Sequence, residues 1–252
     1  WLLLTMAHTL ALLAMTMATA IAIKVVPLDM ARDSFDDQYR GCAPAIITAL
    51  PSLYGFEYQK NPYFASGWVK AEAEWRKRGS RVSPLASPAQ AVAVMAYTMK
   101  YLYKEFNAAV RTAGHSRQEY RNNFHFKTLH FLLTDALETL RHAQNGQCHR
   151  VFRGVRDVRF QARRGQRIRF GQFTSTSLSK EVAQKYGTDT IFEVHMCHGV
   201  DIQAFSYDPS NREVLIPPFE TFKVTKVTHN GQKTRISLRS TGTFSKHNCT
   251  WL

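Results

Sequence analysis

Apolar residues recur at helical spacing through the first half of this chain and in short strand-like runs through the second. Residues from about 44 to 145 read as helices and those from about 150 to 240 as strands, an order that predicts an α+β fold. Ser87-Pro88-Ala89-Gln90 supplies an N-cap, a proline at the first helical position and a capping glutamine. Val92, Met95, Met99, Leu102, Tyr103 and Phe106 follow on one face, predicting a single helix that stops at Gly114. Phe126, Leu129, Leu133, Leu137 and Leu140 form a second stripe ending near Gly146. Between Pro62 and Gly79, Trp68 and Trp75 share one face of a third helix. These stripes are core.

The strand-like runs lie at 150–156, 167–173, 190–196, 200–205, 213–216, 221–228 and 233–239. Such short, closely spaced runs predict antiparallel sheets, and Asn230-Gly231 predicts a hairpin between the last two. No repeat or Pro-rich linker separates the halves, so residues 21–252 are expected to form one domain with a seam near Gly146.

Composition adds two constraints. The first is charge: 33 Lys and Arg against 19 Asp and Glu give a formal +14, favouring a polyanionic ligand or an acidic partner. The second is an uncharged apolar run from Trp1 to Ile23 that ends in small residues at Ala18-Thr19-Ala20, which predicts a signal peptide at 1–20 rather than a membrane anchor. A secreted protein is expected, with a glycolipid-anchored surface form as the alternative should a hydrophobic tail follow. Export makes disulfides the default for Cys42, Cys148, Cys197 and Cys249, with three connectivities open. A Cys42–Cys249 bridge would tie the two ends together and stabilise by roughly 2–4 kcal/mol. Cys148-His149 and Cys197-His198 also offer zinc ligands, but adjacent residues chelate one ion poorly, so no metal is expected. Asn248-Cys249-Thr250 is a glycosylation sequon, in keeping with export.

Three segments carry candidate chemistry. In Val151-Phe152-Arg153-Gly154-Val155 an arginine interrupts an apolar strand, so it is either edge-exposed or paired with an anion; Gly154 would let a flat ligand approach the backbone. Phe170 to Ser179 runs from a strand into clustered hydroxyls and then a helix at 180–186; Ser177 or Ser179 would cap that helix, leaving Gln172 and Ser175 to orient another polar group. In Asn211-Arg212-Glu213-Val214-Leu215-Ile216-Pro217-Pro218 a lone carboxylate precedes an apolar strand, and strand alternation predicts Asn211 and Glu213 on one face with Arg212 on the other. The basic stretch from Arg153 to Arg169, interleaved with Phe152, Phe160 and Phe170, also has a nucleic-acid-binding composition, but a secreted chain without a P-loop or G-x-G-x-x-G argues for no nucleic-acid partner.

Taken in order, Phe152-Arg153-Gly154, Phe173-Thr174-Ser175-Thr176-Ser177 and Glu213-Val214-Leu215-Ile216-Pro217 resemble the Arg, Ser-Thr-Ser and Glu motifs of vertebrate mono-ADP-ribosyltransferase ectoenzymes. Asp33-Ser34-Phe35-Asp36-Asp37-Gln38-Tyr39 with Gly41-Cys42, and Ala96-Tyr97-Thr98, are similar to further segments of that family. The resemblance implies a helical half packed beside two β-sheets that form an NAD cleft, Cys42–Cys249 and Cys148–Cys197 pairings, and NAD as substrate. It further implies that Arg153 holds the NAD phosphates, that backbone groups of Arg153 and Gly154 bind the nicotinamide carboxamide, and that Ser175 orients Glu213. Glu213 would then bind the nicotinamide ribose and stabilise the oxocarbenium-like state formed as the glycosidic bond breaks. Tyr97, Gln172, Tyr186 and Ser206 would be secondary contacts, though Tyr186 is also consistent with helix core.

One departure bears on the acceptor. Arginine-modifying members carry Glu-x-Glu where this chain has Asn211-Arg212-Glu213, and an amide has neither the charge to attract a guanidinium nor a usable pKa for removing its proton. Transfer to a protein arginine is therefore expected to be weak, with water or another side chain as main acceptor. A non-catalytic binding protein that keeps the fold is the alternative.

Overall fold

The computed structural model describes residues 23–250, so the expected leader at 1–20 lies outside them. A short strand, β1 (Lys24–Pro27), precedes six helices: α1 (Ala43–Lys60), α2 (Pro62–Lys77), α3 (Pro88–Thr98), α4 (Tyr103–Ala113), α5 (Arg117–Asn123) and α6 (Lys127–Ala143). Ser87 caps α3 by accepting from the Gln90 N–H at 3.3 Å, as its position predicts. The Gln90 side chain instead reaches back to the Ala86 N–H at 2.7 Å, one residue earlier than a capping box requires.

The helix expected to run to Gly114 is two. The Thr98 hydroxyl donates back to the Val94 and Met95 carbonyls at 3.1 and 3.0 Å, and Met99 turns extended. Such side-chain bonding competes with helix continuation. The same hydroxyl accepts from the Tyr207 N–H at 2.8 Å, so the break ties the end of α3 to the loop that leads to Glu213.

The second half comprises β2 (His149–Val155), β3 (Val158–Gln161), β4 (Arg167–Arg169), β5 (Thr174–Ser177), α7 (Lys180–Lys185), β6 (Thr190–Met196), β7 (Val200–Asp201), a 3-10 turn at Pro209–Asn211, β8 (Glu213–Ile216), β9 (Glu220–Asn230) and β10 (Lys233–Thr243). The run expected as one strand at 167–173 is interrupted at Gly171, whose φ of +65° turns the chain toward β5. β9 and β10 form the hairpin predicted at Asn230-Gly231.

Eight strands join in the order β4-β9-β10-β6-β2-β5-β8-β7, and β1 pairs with β3 in a separate ribbon. The larger sheet is mixed, because β10 and β6 run parallel while the other pairs are antiparallel. β2 meets β5 through one register pair, Phe152↔Ser177, so the sheet divides there into a five-stranded and a three-stranded leaf. Alternation along β8 serves two cores: Leu215 packs with the helices, whereas Val214 and Ile216 pack with Val151, Phe192, Val194, Ile236 and Leu238 of the larger leaf. The three-stranded leaf is thus a middle layer between the helices and the five-stranded leaf.

The segments at both ends of the described residues are fastened to this frame. Cys42 is bonded to Cys249 and Cys148 to Cys197, the pairing that the resemblance implies. The fully buried Arg169 pairs with Asp36 and donates to the Met30, Ala31 and Phe244 carbonyls at 2.8, 3.0 and 2.9 Å. Asp36 also accepts from the Lys246 and His247 N–H groups, and Asp37 from those of Cys249 and Thr250. The acidic pair in the N-terminal segment therefore holds the C-terminal one.

Candidate active site

Glu213 is the first residue of β8, and its backbone is held from both sides. Ser177 is its register partner on β5, and the Ile202 N–H donates to the Glu213 carbonyl at 3.0 Å. The residues before it are not a strand. Asp208 caps the 3-10 turn by accepting from the Ser210 N–H and hydroxyl at 3.0 and 2.6 Å, and Arg212 follows with a left-handed φ of 47°. Strand alternation therefore does not relate Asn211 to Glu213, contrary to the sequence expectation. A proline-initiated turn and a left-handed residue, which carries strain for a side chain with a Cβ, set the approach instead. The Ser177 hydroxyl fastens the turn by donating to the Asn211 carbonyl at 2.7 Å.

The Glu213 side chain is 7% exposed. Burial pushes its carboxyl above the ordinary carboxylate range; the Ser175 and Ser206 hydroxyls and the Arg153 guanidinium pull it back, and Asp208 opposes them. Ser206 Oγ donates to Glu213 Oε2 at 3.4 Å, a long bond. Ser206 thus faces the carboxylate, and its own carbonyl accepts from Arg78 at 3.2 Å.

Arg153 spans the division between the leaves: its Nη1 donates to the Ser175 carbonyl at 2.8 Å. Burial lowers its pKa, against the opposing influence of Tyr97, Tyr103 and Glu213. Tyr97 lies beneath, donating to the Phe173 carbonyl at 2.8 Å and accepting from Asn107 Nδ2 at 3.1 Å. Burial pushes its hydroxyl up to about 12. Asn107 is a participant that the sequence reading missed; its signal was an amide on the apolar face of α4, between the buried Phe106 and Val110.

Two expected residues have other immediate neighbours. A Cβ at Gly154 would collide with the Ala183 and Gly187 carbonyls, so the glycine is required by the packing of α7 on β2. Gln172 Oε1 accepts from Arg111 Nη1 at 2.6 Å. Tyr186, at the end of α7, is exposed rather than core, and its hydroxyl donates to Asn211 Oδ1 at 2.8 Å. Arg153, Ser175, Ser206, Tyr97 and Glu213 are therefore brought together, with Tyr186 and Asn211 at the exposed side.

A buried carboxylate facing an arginine across a division in the sheet can stabilise a developing positive charge while the arginine meets a polyanion. Among the described residues no group of three or more His, Cys, Asp or Glu side chains is suited to a metal ion.

Comparison with known proteins agrees with this geometry. The family model described as "NAD:arginine ADP-ribosyltransferase" matches residues 28–246. The chain is 52% identical over 227 residues to NAD(P)(+)--arginine ADP-ribosyltransferase 2 of Gallus gallus, covering 89% of this chain and 72% of the relative. It is 46% identical over 245 residues to the GPI-linked NAD(P)(+)--arginine ADP-ribosyltransferase 1 of Homo sapiens, covering 90% and 75%. Among solved structures, a mutant of the eukaryotic mono-ADP-ribosyltransferase ART2.2 in complex with NAD superposes with a TM-score of 0.77 at 35% identity, covering 90% of this chain and all of that one. With Arg153, Ser175 and Glu213 brought together and a family model spanning nearly the whole described chain, this protein belongs to the NAD:arginine ADP-ribosyltransferase family.

Proposed function

We propose that the cleft where the two leaves part binds NAD, cleaves its nicotinamide–ribose bond and passes ADP-ribose to an acceptor. The observation that carries this reading is Glu213, a buried carboxylate whose side-chain contacts are hydroxyls and a nearby guanidinium rather than a closed ion pair. Arg153 has one side-chain hydrogen bond, to the Ser175 carbonyl, which leaves guanidinium N–H groups for the NAD phosphates. Backbone groups of Arg153 and Gly154 meet the carboxamide. Ser175 and Ser206 hold Glu213 in place, and Glu213 stabilises the oxocarbenium-like state as nicotinamide leaves. Tyr97 and Gln172 act from further back, through the Phe173 carbonyl and Arg111. The test is Glu213→Gln, assayed for nicotinamide release and for NAD binding by calorimetry. Binding without turnover is the expected result, and retained turnover would sink the assignment.

The relatives' names specify arginine as acceptor. In this chain the amide of Asn211, engaged by the Tyr186 hydroxyl, stands where arginine-modifying members have a carboxylate, so transfer to arginine is weak and water or another side chain is the main acceptor. With labelled NAD and an arginine analogue, free ADP-ribose is the expected major product, and Asn211→Glu should raise ADP-ribosyl-arginine by about tenfold or more. Efficient arginine transfer by the native protein would overturn the point.

The protein is extracellular, as its disulfides and its ecto-enzyme and GPI-linked relatives indicate. We place it as a secreted form, residues 21–252 acting as one domain whose ends are joined by Cys42–Cys249 and Arg169–Asp36.

A further inference from the structure

The cleft leaves most of the basic stretch unexplained. Arg167 on β4 is in register with Lys223 on β9, Lys223 with Arg239 on β10, Arg239 with His195 on β6, and His195 with Arg150 on β2. Register partners share a face, so these side chains form one row across five strands. All five are exposed, while the intervening Ile168, Phe222, Val224, Leu238 and Val194 point into the β core. Adjacent strands lie roughly 4.8 Å apart, so the row is a line of four cationic side chains and one histidine perpendicular to the strands.

Like charges directly opposite one another destabilise a sheet. Glu193 is the carboxylate among the outward strand positions, and Arg150 engages it at 2.6 Å. Arg167, Lys223 and Arg239 form no salt bridge among the described residues. Beyond β4 the row opens into a cavity of about 480 Å³, whose rim includes Arg32, Arg167 and Lys246.

We propose that this outer face of the five-stranded leaf binds a sulfated glycosaminoglycan chain. Charge complementarity selects a linear polyanion over a single small anion, and the arginine forks match sulfate oxygens. Its extracellular place favours a sulfated glycan over nucleic acid. So does the position of the phenylalanines of the basic stretch: Phe160 and Phe170 pack against the β core, and Phe152, on the outer face, is already covered by the Arg150 guanidinium at 5.6 Å.

The experiment measures binding of the whole secreted protein to heparin across a salt series. Lys223→Gln/Arg239→Gln is compared with a control of equal charge change on the helical half, Lys60→Gln/Lys77→Gln. The row variant should bind about tenfold more weakly at physiological salt, and its log K against log salt should be shallower by about two. Arg167→Gln alone should lower that slope by about one. The control should match the native protein, and unchanged melting temperature and nicotinamide release in all variants would show that fold and cleft are intact. Equal losses in row variant and control would overturn the proposal. So would undiminished binding to desulfated heparin, or tighter binding to duplex DNA or phosphatidylserine vesicles at the same salt.

Discussion

Two arginines in this β half lie near carboxylates, Arg169 fully buried and Arg153 half-buried, and they differ in how fully they are satisfied. Arg169 pairs with Asp36 and spends its remaining donors on three backbone carbonyls, so its charge is enclosed and neutralised. Arg153 makes one hydrogen bond, to the Ser175 carbonyl, and its nearby carboxylate, Glu213, receives a long bond from Ser206. A saturated buried ion pair holds a fold together; a guanidinium and a carboxylate that form no direct salt bridge retain capacity for a ligand.

The largest expected effect lies on the saturated side. Asp36→Ala strands a buried guanidinium and frees the C-terminal segment, and should destabilise by about 3–5 kcal/mol in denaturant unfolding. Turnover per folded molecule should stay near native. Glu213→Gln should do the reverse, lowering nicotinamide release by about 10²–10³-fold with unfolding free energy unchanged or raised, because it removes a buried charge. If both variants lost stability equally, the contrast between the pairs would collapse.

Smaller effects sharpen the contrast through pH. The Ser206 hydroxyl pulls the Glu213 carboxyl down, so Ser206→Ala should raise that pKa and move the acidic limb of the pH–kcat/KM profile to higher pH, since the ionised carboxylate is the active form. An unmoved limb would mean that Ser206 only packs. Glu220 gives a stability counterpart away from the cleft. Burial raises its pKa to about 7, against the Cys197 N–H, the Ser240 hydroxyl and the His198 N–H. Its raised folded-state pKa makes the stabilising form the protonated one. That contribution is complete below the ordinary 4.5 and is lost as pH rises through about 7. Glu220→Gln should therefore show a melting temperature that falls less than the native one between pH 5 and 7.5.

Periodicity and turn chemistry carried much of this fold. The Ser87 cap, the Trp68 and Trp75 face, the Asn230-Gly231 hairpin and the β8 run are all present as patterned. What was hidden depended on contacts between distant segments. The helix ends at Thr98 because that hydroxyl binds both its own helix and Tyr207, a partner 109 residues away. On the Cβ side of Gly154 the space is filled by the Ala183 and Gly187 carbonyls, a packing reason for the glycine that no local pattern reveals. The motif residues of the site were legible by resemblance, whereas Asn107 and the turn that carries Asn211 needed the packed structure.

The single Phe152↔Ser177 pairing gives this sheet an edge in its interior. Elsewhere an unpaired strand edge is a hazard, because any extended chain can add to it. Here the Arg153 side chain takes up the Ser175 carbonyl, so an acceptor on that edge is satisfied from within the fold. The edge is thus closed by a side chain rather than by another strand, and the residue that closes it is the one proposed to meet NAD.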